Sequence, residues 1–106
     1  MSVFFVVEFH VMDKRRFRQF REAFAGQLIA AGGELLASDD APVAVLGQDM
    51  DISMGIVRFA DAQGAAEFIN SDEMRQLSVL REAACSDTRV VMIKGFAGPL
   101  PPAPPE

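Results

Sequence analysis

The chain has 106 residues, enough for one domain with a real hydrophobic core, and half of them are hydrophobic. Its formal net charge of −5 leaves it without the basic footprint that releases counterions from DNA or RNA, which excludes nucleic acid as a partner. Cys85 is the only cysteine, so no internal disulfide is available, and no stretch approaches the roughly 20 apolar residues of a membrane span; the expectation is a cytoplasmic protein with no membrane partner.

The stretch Val3 to Val11 reads as a strand with apolar side chains on both faces. Val3, Phe5, Val7, Phe9 and Val11 lie on one face. Phe4 and Val6 lie on the other, which turns polar only at Glu8 and His10. Such a strand belongs in the middle of a sheet with something packed on each side. Glu8 and His10 interrupt the apolar run and Asp13 to Arg16 follow it, so it reads as mature structure rather than a signal peptide.

Asp13 is placed to cap a helix. Phe17, Phe20, Phe24, Leu28 and Ala31 form its apolar stripe, with Lys14, Arg15, Arg18, Arg21 and Glu22 mostly on the other side. Gly32-Gly33 ends it. Glu34 to Ser38 reads as a second strand, interrupted by Asp39-Asp40-Ala41-Pro42 and resumed over Val43 to Leu46; a bulge or a small turn fits the interruption equally well. Pro42 points to a sheet edge. After a polar loop over Gly47 to Asp51, Ser53 to Ala60 forms a third strand in which Gly55, Val57 and Phe59 alternate with Met54, Ile56 and Arg58.

Asp61 caps the next helix, with Ala65, Phe68 and Ile69 on one side. Ser71-Asp72-Glu73 reads as a fresh cap with two acids in the first turn, so this helix is expected to break or kink near Asn70-Ser71. Met74, Leu77, Leu80 and Ala84 carry the stripe onward, and Cys85 falls near the helix end as a small buried hydrophobe. Thr88 to Lys94 is the last strand. Five of the seven residues from Pro99 to Pro105 are proline, which favours a polyproline II tail. Its PxxP spacings suit groove-binding domains, but the simpler account is a tail laid along a dimer. The expected division is a domain over residues 1–96 and a proline-rich tail over 97–106.

Strand, helix, strand, strand, helix, strand is the order of an α+β ferredoxin-like βαββαβ sandwich, a four-stranded antiparallel sheet with two helices on one face. If Phe5, Val7 and Phe9 face the helices, then Phe4, Val6, Met54 and Ile56 face away. Leaving each in water costs roughly 1.5–3 kcal/mol relative to burial. A patch of that kind marks an interface, and a second copy about a two-fold axis covers both patches with one solution. A homodimer with a shared interior is therefore expected.

The chain also resembles the domain-of-unknown-function family DUF1330 of the dimeric α+β barrel superfamily, from about Val3 to Gly95. The resemblance rests on the first strand ending in Glu8 and on Gly32-Gly33 after the first helix. It rests further on Phe59 ahead of Asp61, on Phe68 to Met74 running into Leu80-Arg81-Glu82-Ala83-Ala84, and on Arg89 to Gly95. The family's aromatic pair and Ser-Pro-Glu-Tyr-like run are altered here at Ile69, Asp72 and Met74, and Gly47-Gln48-Asp49-Met50 replaces its Gly-Asp-Trp. The resemblance implies the fold and the dimer. The family has no settled activity, and the wider superfamily includes small monooxygenases, isomerases and haem-degrading enzymes.

Glu8 and His10 are the candidate catalytic pair, about 6.6 Å apart on one strand face. A carboxylate in an apolar wall has its pKa pushed upward, and a histidine beside it can exchange protons near neutral pH. Arg58, with Met54 and Ile56, lies on the equivalent face of the third strand and would contact a small organic ligand, Arg58 orienting an anionic group from the end nearer Phe4. The plainer reading leaves Glu8 and His10 half-solvated, pairing with each other or across the dimer. A lone histidine and loop acids without calcium-loop spacing point to no metal, and no cofactor is expected. Two functions follow: small-molecule binding with proton transfer or cofactor-free oxidation, or a non-catalytic dimerisation module whose interior is filled by side chains. A cavity of roughly 300 Å³ or more beside Glu8 or His10 separates them.

Overall fold

In a computed structural model, residues 1–95 are described; the proline-rich tail and its expected packing, and the division at residue 96, lie outside them. The elements are β1 (Val3–Val11), α1 (Lys14–Ala30), β2 (Glu34–Asp39), β3 (Ser53–Phe59), α2 (Ala62–Ile69), α3 (Asp72–Ala84) and β4 (Cys85–Lys94). The strands form one antiparallel sheet in the order β2-β3-β1-β4, with β1 central as its two apolar faces require. This is the ferredoxin-like sandwich, with the second helix divided in two.

The helix boundaries follow local chemistry. Asp13 Oδ1 accepts from the backbone N–H of Arg16 at 3.1 Å and opens α1. At its other end the Gly33 N–H donates to Leu28 O (2.9 Å) and the Gly32 N–H to Ile29 O (3.0 Å), a Schellman ending that needs the positive φ of +84° at Gly32. The break between α2 and α3 falls at Ser71, whose Oγ accepts from the Met74 N–H (3.2 Å) while donating to Phe68 O (2.7 Å).

The core lies between sheet and helices. Val3, Phe5, Val7 and Phe9 of β1 and Val57 and Phe59 of β3 meet Phe17, Phe20 and Leu28 of α1, Phe68 of α2 and Leu77 of α3. Phenylalanine rings connect these layers edge to face and tilted, from Phe5–Phe59 (5.7 Å between centroids) through Phe59–Phe68 (5.4 Å) and Phe24–Phe68 (5.8 Å) to Phe9–Phe17 (5.2 Å).

The structure corrects three expectations. Val43 to Leu46 is not a resumed strand but part of the loop joining β2 to β3, with Val45 and Leu46 almost fully exposed. The β2–β3 ladder runs out at Asp39 opposite Met54, and β3 begins only at Ser53, so β3 offers no further residues for a resumed β2 to pair with. Its backbone is tied locally instead, Ala41 N–H to Asp39 Oδ1 (2.9 Å) and Ala44 N–H to Asp49 Oδ1 (2.6 Å). The bulge lies earlier, between Leu35 and Ala37. Finally, β4 begins at Cys85 rather than Thr88. Cys85 is buried as expected, but as the first residue of a strand, because α3 ends at Ala84, whose carbonyl accepts from Met12 and Asp13 N–H (2.8 and 3.1 Å) and so joins directly to the end of β1.

Candidate functional site

Strand period places alternate residues of β1 on the face away from the helices, and the register fixes their neighbours. Phe4 lies between Arg58 and Ile93, Val6 between Ile56 and Val91, and Glu8 between Met54 and Arg89. The middle of this face is therefore apolar: Phe4, Val6, Met54 and Ile56 are half-buried, and Val91 and Ile93 keep 41% and 49% of their surface in solvent.

Charged pairs bound the patch at both ends. Arg89 Nε donates to Glu8 Oε2 at 2.7 Å, with the glutamate side chain only 15% exposed and the arginine largely in solvent. That hydrogen bond, and then the carboxylate's charge, push the Arg89 guanidinium further above its ordinary value. At the other end Arg58 donates from Nη1 to Glu34 Oε1 (3.3 Å) and from Nε to Ser2 Oγ (3.1 Å).

The structure thus puts Glu8, Met54, Ile56 and Arg58 on one face, with Arg58 opposite Phe4, remote from Glu8. Glu8 does not pair with His10. Its partner is Arg89, so the carboxylate sits in an ion pair rather than in a bare apolar wall. His10 is exposed, opposite Asp87 at the end of the β1–β4 ladder. Arg89 is the charged partner of Glu8 that the sequence alone did not reveal, although an antiparallel β1–β4 pairing in register would have pointed to it.

Clefts of about 280, 410 and 450 Å³ and a small recess of about 30 Å³ lie elsewhere, and neither Glu8 nor His10 lines any of them. In the single chain the Glu8 face is an open wall. Among the described residues no cluster of three or more His, Cys, Asp or Glu could hold a metal ion, and no helix is long and apolar enough to cross a membrane. The arrangement offers a hydrogen-bonded carboxylate at one end of an apolar strip and a guanidinium at the other.

The family model described as "Domain of unknown function (DUF1330)" matches residues 2–96, and the chain belongs to that family. No curated protein matches the sequence. Among solved structures, a protein of unknown function from Rhodopseudomonas palustris superposes with a TM-score of 0.69 at 12% identity, covering 92% of this chain and 85% of the other. A protein from Thermobifida fusca described as dimeric, ferredoxin-like and of unknown function gives 0.61 at 14% identity over 88% and 90%. A Caulobacter crescentus protein described as a candidate antibiotic biosynthesis monooxygenase gives 0.64 at 9% identity over 91% of each. At these identities the likeness is one of fold.

Proposed function

We propose that this member of the DUF1330 family is a cytoplasmic homodimer whose two sheets face each other and enclose a small organic molecule. The observation that carries this is the apolar strip of Phe4, Val6, Met54, Ile56, Val91 and Ile93, open on one side and closed at its ends by charged pairs. A second copy supplies the missing wall, and the description of a fold neighbour as dimeric supports the same arrangement. Within that interior Glu8, oriented by its hydrogen bond from Arg89, accepts a proton from an acidic carbon or hydroxyl of the ligand. His10 at the rim passes it to solvent, and Arg58 orients an anionic group from the far end.

The pairing of Glu8 with Arg89 favours a second reading. A carboxylate already satisfied by a guanidinium can serve the interface alone, and the protein is then a non-catalytic dimerisation module.

Thermal-shift screening of small organic acids against wild type and Glu8→Gln separates the two. Ligand stabilisation of wild type that is lost in Glu8→Gln supports a binding interior. A dimer with no ligand response in either protein supports the module, and a chain that stays monomeric at high concentration refutes both.

A further inference from the structure

A different site lies on the helix side of the sheet, at the end where the β2–β3 loop passes beside α1. A cleft of about 410 Å³ opens there, within the range of roughly 300–1,000 Å³ usual for small-molecule sites. Val11, Phe17 and Ile52 give it apolar walls. Lys14, Arg18 and Arg21, at helical spacings of four and three, line its α1 side. Beneath it a small aromatic recess of about 30 Å³ shares Phe17, Arg21 and Ser53 with the cleft.

The junction already holds a carboxylate. Asp40, from the loop, accepts at the same Oδ1 from Arg21 Nη1 and from Ser53 Oγ, the latter at 3.0 Å. Ser53 is buried, and its hydroxyl also approaches Asp39 O at 3.4 Å. The Arg21 guanidinium carbon stands 5.5 Å from the Phe17 ring centroid, so one side chain joins a charged donor to an aromatic wall. Asp40 is itself exposed, on a loop free of strand pairing, and nothing in its backbone commits it to this contact. A dissolved carboxylate can take the same two donors. Lys14 and Arg18 have no ion-pair partner among the described residues, and with Arg21 they outnumber the two carboxylates of the lining, Asp40 and Asp51, so the cleft favours an anion although the chain carries a net −5.

We infer that this cleft binds a small carboxylic acid with an apolar, preferably aromatic, body. The carboxylate replaces Asp40 at Arg21 and Ser53, and the body lies against Phe17 and Ile52. Asp40 is then an internal competitor that occupies the anion position when no ligand is present. The site stands apart from the paired-sheet interior, since it faces the opposite side of the sheet.

The test is a titration of the isotope-labelled full chain with benzoate, followed through backbone amide shifts, with benzamide as the uncharged control and acetate as the control without a ring. Benzoate is expected to move the amides of Phe17 to Arg21, Asp40 and Ser53, with benzamide and acetate much weaker. Arg21→Gln should weaken benzoate by roughly tenfold or more, since a charge-assisted hydrogen bond is lost. Asp40→Asn should strengthen it, because the competing anion is gone. Circular dichroism confirms that both variants are folded. The inference is overturned if benzamide matches benzoate, if Asp40→Asn weakens binding as Arg21→Gln does, or if benzoate leaves these amides unmoved even in Asp40→Asn. Shifts confined to Phe4, Val6 and Ile56 also overturn it, and would place the ligand in the paired-sheet interior instead.

Discussion

Replacing Val91 and Ile93 together with serine is expected to dissociate the proposed dimer while leaving the monomer folded. Both residues lie on the edge strand β4, beside Val6 and Phe4, and keep 41% and 49% of their surface exposed in the single chain. Full burial of such a side chain contributes roughly 1.5–3 kcal/mol, so covering the remaining part contributes about 0.6–1.5 kcal/mol at each position. Two positions on each of two copies bring the loss to about 3–5 kcal/mol. That corresponds to a rise in dimer Kd of about two to four decades. Sedimentation equilibrium from micromolar to millimolar protein reads it directly: wild type should approach twice the 11.5 kDa chain mass, and the variant should stay at one chain mass. Far-ultraviolet circular dichroism and a urea midpoint serve as the folding control, with a modest fall from lost strand propensity. A variant that dimerises as tightly as wild type would refute the assignment of this face as the interface. So would a wild type that never leaves one chain mass.

Other outcomes follow from the helix side. Gly33→Ala should destabilise the fold by about 1–3 kcal/mol in urea unfolding, as overpacking does. A Cβ at Gly33 would stand 2.3 Å from Leu28 Cδ1 and 2.9 Å from Phe59 Cζ, and both side chains are buried. Ser71→Ala should cost about 1 kcal/mol, because the hydroxyl caps α3 and also donates to the end of α2; the same unfolding curve measures it. Burial pushes the Cys85 thiol above its ordinary 9.0, although Arg81 pulls it the other way. The folded state therefore favours the neutral thiol. That contribution is complete below the unfolded value and is lost as pH rises through the folded one, so stability should decline from about pH 9 upward more steeply than in Cys85→Ala. Alkylation of Cys85 should correspondingly be slow in the native protein and fast in urea.

The sequence was most informative where a short-range period or cap decides the structure. The two faces of β1 could be read because strand side chains alternate strictly, and the break at Ser71 because a hydroxyl followed by Asp72 and Glu73 starts a helix wherever it stands. Asp13, Asp61 and Gly32 were legible for the same reason: each acts on backbone within a few residues. What was hidden depends on pairing across the chain. Leu35-Leu36-Ala37 has no polar alternation, so nothing local marks the extra residue of the bulge. Val43 to Leu46 has a strand's composition but lies beyond the end of the β2–β3 ladder at Asp39 and Met54. Glu8 and Arg89 are 81 residues apart in sequence, and only the β1–β4 register brings them together. Lys14, Arg18 and Arg21 read as a solvated helix face because the loop that turns them into one wall of a cleft returns some 20 residues later; Arg21 and Asp40 are 19 apart.

The two proposed sites lie on opposite sides of the sheet, and this makes each a control for the other. Val7 and Phe9 turn their side chains inward beneath α1, and Glu8 between them turns outward to Arg89. The layer separating the faces is tightly filled: Val57 and Leu28 are fully buried, and a Cβ added at Gly55 would come within 3.1 Å of Val7 Cγ2. A packed layer of this kind resists small displacements, and little of a perturbation on one side should reach the other. Arg21→Gln should therefore leave the dimer mass unchanged, and the Val91/Ile93 serine variant should leave benzoate affinity unchanged. If benzoate instead tightened the dimer, linkage would require the dimer to tighten benzoate by the same factor. The connection would then run through β1 and β3, which have residues on both faces and contribute Val11 and Ser53 to the cleft.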